Sequence, residues 1–181
     1  SAGWETISLP FDVQTITHET KGQIVPFAAY HEESDRLPFW LYSLGSNGFV
    51  KASSIKANTP YIISMPNNDS YAERYNIAGK VTFTATNATV RRTADEYLNT
   101  SSHNGATFLP CYDFCENSDG IFALNVPNAR TTNVGQDTPG SIFLTGGGIT
   151  VLPFGARMEK VTAARSLNIV FADETDGIDD V

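Results

Sequence analysis

The fold is decided by two similar stretches, WETISLPFDV at residues 4–13 and ITVLPFGARM at residues 149–158. In the first, apolar side chains recur at every second position: Ile7, Leu9, Phe11 and Val13. This period-2 pattern predicts a strand over residues 5–14 with one apolar face. Pro10 has no amide hydrogen to donate, so we expect this strand at a sheet edge or interrupted by a bulge.

Short alternating runs separated by Gly, Asn, Asp and Ser fill the chain between these stretches, and about eleven strands are expected. After the first, they cover residues 24–30, 37–44, 49–51, 61–64, 76–92, 106–113, 120–125, 141–145, the 149–158 stretch and 167–171. Turn residues at 46–48 and 146–148 predict hairpins, and residues 94–98 are expected to form a short helical turn. The predicted fold is all-β, an antiparallel β-sandwich or jelly-roll-like barrel with little helix.

Length and charge limit the classes of function. With 181 residues, one domain over residues 1–172 is expected, followed by an acidic, disordered tail or linker at 173–181. The net charge of −8 disfavours binding to nucleic acid or to anionic membrane surfaces. No apolar stretch approaches the ~20 residues of a membrane span, so direct membrane insertion is not expected.

Motifs for catalysis and for cofactors are absent from the sequence. It has no nucleophile elbow, phosphate-binding loop, dinucleotide fingerprint or zinc-protease helix. The three histidines, His18, His31 and His103, lie in polar, turn-like contexts and are expected at the surface. The acidic loop at 31–35 is expected to be solvated rather than metal-binding. We therefore predict no enzyme activity, cofactor or metal, and a glycan-active enzyme with paired carboxylates stays an alternative.

Aromatic side chains indicate a ligand-binding surface. Trp40 and Tyr42 lie two residues apart on one predicted strand and so share a face. If the opposite face is the core side, they form an exposed stacking platform for sugar rings, which Tyr71 and Tyr75 can extend. The alternative is that both faces of the strand are buried.

The two cysteines, Cys111 and Cys115, are too few for a disulfide scaffold or a four-cysteine zinc site. If the segment between them turns sharply, they can form a disulfide. If it is a regular strand, they lie on one face about 13 Å apart and cannot.

Three phrases carry a resemblance to a known class: residues 4–13, the segment IKANTPYII at 55–63, and LPFGAR at 152–157. They resemble β-rich modules in exported cell-surface proteins of Bacteroidales bacteria, which often accompany leucine-rich repeats or adhesin-like regions. Residues 167–178 resemble the linker that precedes a C-terminal sorting signal there. The resemblance implies an extracellular or outer-surface location within a larger exported protein.

The expected function is therefore a non-enzymatic β-domain for adhesion or structural support, with a glycan or a host or surface protein as partner. Two alternatives stay open. One is a carbohydrate-binding module using the Trp40 platform, and the other is a fimbrial or assembly subunit that pairs strands between chains. The sequence leaves the oligomeric state open.

Overall fold

A computed structural model describes residues 4–65, 72–90, 95–116, 120–125, 142–144, 150–160 and 166–172, without the side chains of residues 74, 95, 116, 142 and 144. These residues form fifteen strands: β1 (Glu5–Ile7), β2 (Thr15–His18), β3 (Gly22–Pro26), β4 (Leu37–Gly45), β5 (Gly48–Lys51), β6 (Tyr61–Ser64), β7 (Val81–Thr84), β8 (Ser101–His103), β9 (Ala106–Cys111), β10 (Cys115–Glu116), β11 (Ile121–Leu124), β12 (Ile142–Leu144), β13 (Thr150–Val151), β14 (Gly155–Lys160) and β15 (Ser166–Asn168). The helical residues are three single 3-10 turns, at Phe27–Ala29, Glu73–Tyr75 and Asp95–Tyr97. The predicted all-β class is confirmed.

Two sheets hold most of these strands. The first has the order β1-β6-β4-β3-β2-β7, with β5 also paired to β4, and the second has the order β15-β12-β11-β14-β9-β8. β10 and β13 form a separate two-stranded ribbon. All pairs are antiparallel except β3 with β4, because the connection at residues 27–36 returns the chain to run in the same direction. The first sheet is therefore mixed through this one parallel pair, and the two packed sheets are consistent with the predicted β-sandwich.

The first sheet separates two hydrophobic cores, and β4 contributes side chains to both of them. Tyr42 and Leu44 enter the core between the two sheets, which also contains Phe108, Phe122 and Phe143 of the second sheet. Phe39 and Leu41, on the opposite face of β4, enter a core built from the first sheet and its own connections, with the buried residues Ile16, Ile24, Ile55, Tyr61, Ile63 and Ile77. The first sheet thus curls around one core while it packs on the second sheet through the other, as in a β-sandwich.

The two sequence stretches that decide the fold meet in space. The Ser8 amide donates to the Phe154 carbonyl at 2.7 Å, and the Ser8 hydroxyl donates to the Gly155 carbonyl at 2.8 Å. The Ala156 amide donates to Thr6 Oγ1 at 2.9 Å. These bonds draw the chain out of β1 after Ile7, so the predicted strand over 5–14 ends there and Pro10 lies beyond it.

Other predicted strands are shortened. The strand predicted at 24–30 ends at Pro26, and the described part of the long alternation at 76–92, residues 76–90, contains a strand only at 81–84. The hairpin at 46–48 is confirmed by the pairing of Gly45 with Gly48. The turn predicted at 146–148 and the acidic tail at 173–181 lie outside the described residues, and the single domain over 1–172 stays a prediction. No helix in the described ranges is long and apolar enough to cross a membrane.

Candidate binding site

Tyr42 is a core residue. Its side chain is 5% exposed and packs against two aromatic rings from the ends of the chain, Trp4 at 5.3 Å and Phe171 at 5.1 Å between ring centroids. The expectation that Tyr42 belongs to an exposed stacking platform is therefore wrong. Alternation placed the ring on the correct face of β4, but that face is covered by residues far away in the sequence.

Trp40 lies on the same face of β4 but remains partly exposed. Its ring centroid is 4.6 Å from that of Phe27, and the two planes are inclined by 44°. Phe27 also contacts Tyr75 at 6.2 Å and Tyr30 at 6.1 Å between centroids. Phe27, Tyr30, Trp40 and Tyr75 are all partly exposed, and we call these residues the aromatic cluster. The aromatic cluster contains two of the four predicted ligand-binding residues, Trp40 and Tyr75. Of the other two, Tyr42 is in the core and Tyr71 lies outside the described residues.

Local backbone chemistry explains the position of Phe27 and Tyr30. Pro26 ends β3, and the chain continues as the 3-10 turn Phe27–Ala29. Side chains three residues apart lie on the same side of a 3-10 helix, so Phe27 and Tyr30 point the same way. The alternating pattern extends the predicted strand to Tyr30, so neither ring was predicted to belong to a site. The available signal was a proline followed by two aromatic residues at a spacing of three.

A polar cleft opens on the other side of this turn. β2 pairs with β7 along its whole length but with β3 only at Thr17–Gln23 and His18–Gly22, and beyond those two pairs β3 pairs with β4 instead. The divergence leaves a cavity of about 340 Å³, open to solvent. Its lining consists of Val13, Gln14, Thr15, Ile16, Gln23, Ile24, Val25, Pro26, Ala29, Arg36, Ser53, Ser54 and Ile55. We call this cavity the polar cleft.

Several polar groups in the cleft are available to a ligand. Within the described residues, the side chains of Thr15, Gln23, Arg36, Ser53 and Ser54 make no hydrogen bond or ion pair. Gln14 is occupied, because its amide oxygen accepts from the Thr86 amide and hydroxyl, both at 3.0 Å. The buried floor comes from Ile16, Ile24 and Ile55. The cleft thus combines an apolar base with hydroxyl, amide and guanidinium groups.

One of the three histidines, His18, has a structural role. His18 is 4% exposed, which corrects the expectation that it lies at the surface. Its Nδ1 accepts from the amides of Thr20 and Lys21 at 3.2 Å, so Nε2 carries the hydrogen and donates to the Ala78 carbonyl at 2.9 Å. His18 therefore closes the β2–β3 hairpin and holds the segment before β7 beside it.

Cys111 and Cys115 are joined by a disulfide, because residues 112–114 turn between β9 and β10. The segment from Cys111 to Cys115 is therefore not a regular strand, which was the alternative. Next to the bridge, the Tyr112 hydroxyl donates to Asn58 Oδ1 at 2.9 Å. Burial raises the pKa of this phenol to about 12, opposed by hydrogen bonding with Asn58. Tyr112 thus stays protonated at neutral pH and acts as a hydrogen-bond donor.

No group of three or more His, Cys, Asp or Glu side chains is placed to hold a metal ion in the part of the chain that the structure describes. Comparisons with known proteins add no relative, since no family model, curated protein or solved structure matches this chain. The chemistry of the aromatic cluster and of the polar cleft is therefore the guide to function.

Proposed function

We propose that this chain is a non-enzymatic β-domain of the extracellular or outer cell surface, part of a larger exported protein, and that it mediates adhesion by binding a glycan. The aromatic cluster carries this proposal. Four partly exposed aromatic rings on one surface are uncommon in a protein that has two filled cores in which to bury them. Grouped surface aromatics are typical of binding sites.

The cluster suits sugar rings in particular. An aromatic face gives a large apolar contact, and tyrosine adds a hydroxyl at its edge that can bind a sugar hydroxyl. Phe27 and Trp40 are inclined by 44°, and Phe27 and Tyr75 by 42°. The rings therefore present differently oriented faces, which suits consecutive residues of a twisted oligosaccharide better than one flat ring system.

A glycan array with the purified chain tests the proposal. Wild type is compared with Trp40→Ala and Tyr75→Ala, and with Tyr97→Ala as a matched control, because Tyr97 is 37% exposed and lies outside the cluster. We expect binding to at least one glycan, weakened about fivefold or more in both cluster variants, since ring stacking contributes about 1 kcal/mol or more. Tyr97→Ala should bind as wild type does.

Two results would contradict the proposal. One is that folded wild-type protein binds no glycan on arrays of host, bacterial and plant saccharides. The other is glycan binding that survives in both cluster variants. Either result would favour a protein partner or a purely structural role.

A further inference from the structure

We propose that the polar cleft binds the carboxylate of an acidic sugar residue, with Arg36 as the cationic ligand. This inference rests on the proposed glycan-binding function and names the class of saccharide. The ligand is an oligosaccharide that places one sugar on the aromatic cluster and a neighbouring, carboxylate-bearing sugar in the cleft.

The charge of the residues that line the cleft favours an anionic ligand. The chain has 20 acidic and 12 basic residues, yet the cleft lining includes no acidic residue and a single basic one, Arg36. Arg36 is exposed and has no ion-pair or hydrogen-bond partner within the described residues. A planar guanidinium donates two parallel hydrogen bonds to a carboxylate, which is the geometry that favours arginine at such sites.

The neutral groups of the cleft match the rest of a sugar. Ser53, Ser54 and Thr15 can donate to or accept from sugar hydroxyls, and the Gln23 amide can do both at once. The volume of about 340 Å³ falls at the lower end of the range of about 300–1,000 Å³ for small-molecule sites. Ile16, Ile24 and Ile55 give an apolar floor for the carbon face of the ring.

The cleft and the aromatic cluster share one structural element. Pro26 and Ala29 line the cleft, while Phe27, between them in sequence, is the centre of the cluster. In the proposed complex, one oligosaccharide passes over this turn, with one sugar on the aromatic cluster and the next in the polar cleft.

Nearby acidic residues limit the expected preference for an acidic sugar over a neutral one. Glu32, Glu33 and Asp35 precede Arg36 in an exposed loop, although none of them lines the cleft. Their charges oppose an anionic ligand and are screened by salt. We therefore expect a modest preference for the acidic sugar, about fivefold to tenfold at low ionic strength, which decreases as salt is added.

The experiment compares saccharides that differ only in charge. Oligogalacturonides are paired with their carboxyl-reduced, neutral counterparts, and sialyllactose is paired with lactose, in calorimetric titrations of wild type, Arg36→Gln and Arg36→Lys. The matched control is Lys80→Gln, which removes an exposed cation outside the cleft. We expect wild type and Lys80→Gln to prefer the acidic member, Arg36→Gln to lose that preference, and Arg36→Lys to retain part of it.

The outcomes separate this inference from the proposed function. If wild type binds neutral and acidic members equally, or if Arg36→Gln keeps the full preference, the inference is overturned. The glycan-binding proposal would then still stand if Trp40→Ala weakens binding to both members. If wild type binds neither member of any pair and no glycan on the array, both proposals are overturned.

Discussion

Trp40 and Tyr42 lie two residues apart on one face of β4, yet they end in different environments. Tyr42 is 5% exposed, enclosed by Trp4 and Phe171. Trp40 is partly exposed, and its ring contacts that of Phe27, from the turn after β3. Trp4 and Phe171 cover the Tyr42 ring, whereas Trp40 packs against the same core and against Phe27 but stays partly exposed. A strand therefore decides which side chains share a face, and the packing of distant segments decides whether that face becomes core or surface.

The largest expected effect is the difference in stability between truncations of these two residues. Tyr42→Ala should lower the free energy of unfolding by about 3–4 kcal/mol, because it leaves a cavity between the two sheets. Trp40→Ala should lower it by about 1–2 kcal/mol, because the side chain is partly hydrated in the folded protein. Urea denaturation of the two variants measures both values.

Tyr42→Phe is the matched control for this comparison. It keeps the ring contacts with Trp4 and Phe171, so the loss should stay below about 1.5 kcal/mol. A Trp40→Ala variant that is destabilised as strongly as Tyr42→Ala would show that both rings are core residues. The aromatic cluster would then be a packing feature, and the proposed binding role would lose its main support.

The next prediction tests whether the C-terminal segment covers Tyr42 as a unit. The Phe49 amide donates to the Val170 carbonyl at 2.7 Å, and the Ala172 amide donates to the Phe49 carbonyl at 3.0 Å. These bonds dock residues 170–172 beside β5 and bring Phe171 onto Tyr42. Phe171→Ala should cost about 2 kcal/mol, less than Tyr42→Ala because Phe171 is only partly buried.

A double-mutant cycle sharpens this prediction. Tyr42→Ala and Phe171→Ala should be coupled by about 1 kcal/mol, as expected for an aromatic pair in contact. The control pairs Tyr42→Ala with Phe83→Ala, a residue that packs in the other core, and should be additive. If the losses of unfolding free energy in Tyr42→Ala and Phe171→Ala are fully additive, the contact between the two rings contributes nothing specific to stability.

Structural features that depend on residues close together in the chain were predicted correctly from the sequence. Alternation along β4 correctly separated Phe39 and Leu41 from Trp40 and Tyr42, because successive side chains of a strand point to opposite faces. The turn at 46–48 correctly predicted the β4–β5 hairpin. Both features follow from local geometry, so a single sequence is enough to predict them.

Features that depend on distant contacts were missed. The first strand ends at Ile7 because Ser8 bonds to Phe154 and Gly155, and nothing near Ser8 in the sequence signals those partners. The polar cleft exists because β3 pairs in parallel with β4 while β2 follows β7, which is a matter of strand order. Arg36 becomes a cleft residue only through that arrangement. A candidate site of this kind is not visible in the spacing of its residues.

The smallest effect concerns the hydrogen bonds that hold the N-terminal strand. Ser8 is fully buried, and Ser8→Ala removes the bond from its hydroxyl to Gly155, which should cost about 1 kcal/mol. Because β1 follows directly after Trp4, we expect the change to loosen the cover over Tyr42 and to leave the aromatic cluster intact.

The chain has only two tryptophans, so fluorescence can report on each region separately. In a Trp40→Phe background, Ser8→Ala should shift the emission of Trp4 to longer wavelength, because the indole becomes more hydrated. In a Trp4→Phe background, the same substitution should leave the emission of Trp40 unchanged. An equal shift in both backgrounds would mean that the two regions respond as one cooperative unit, through the core against which both rings pack.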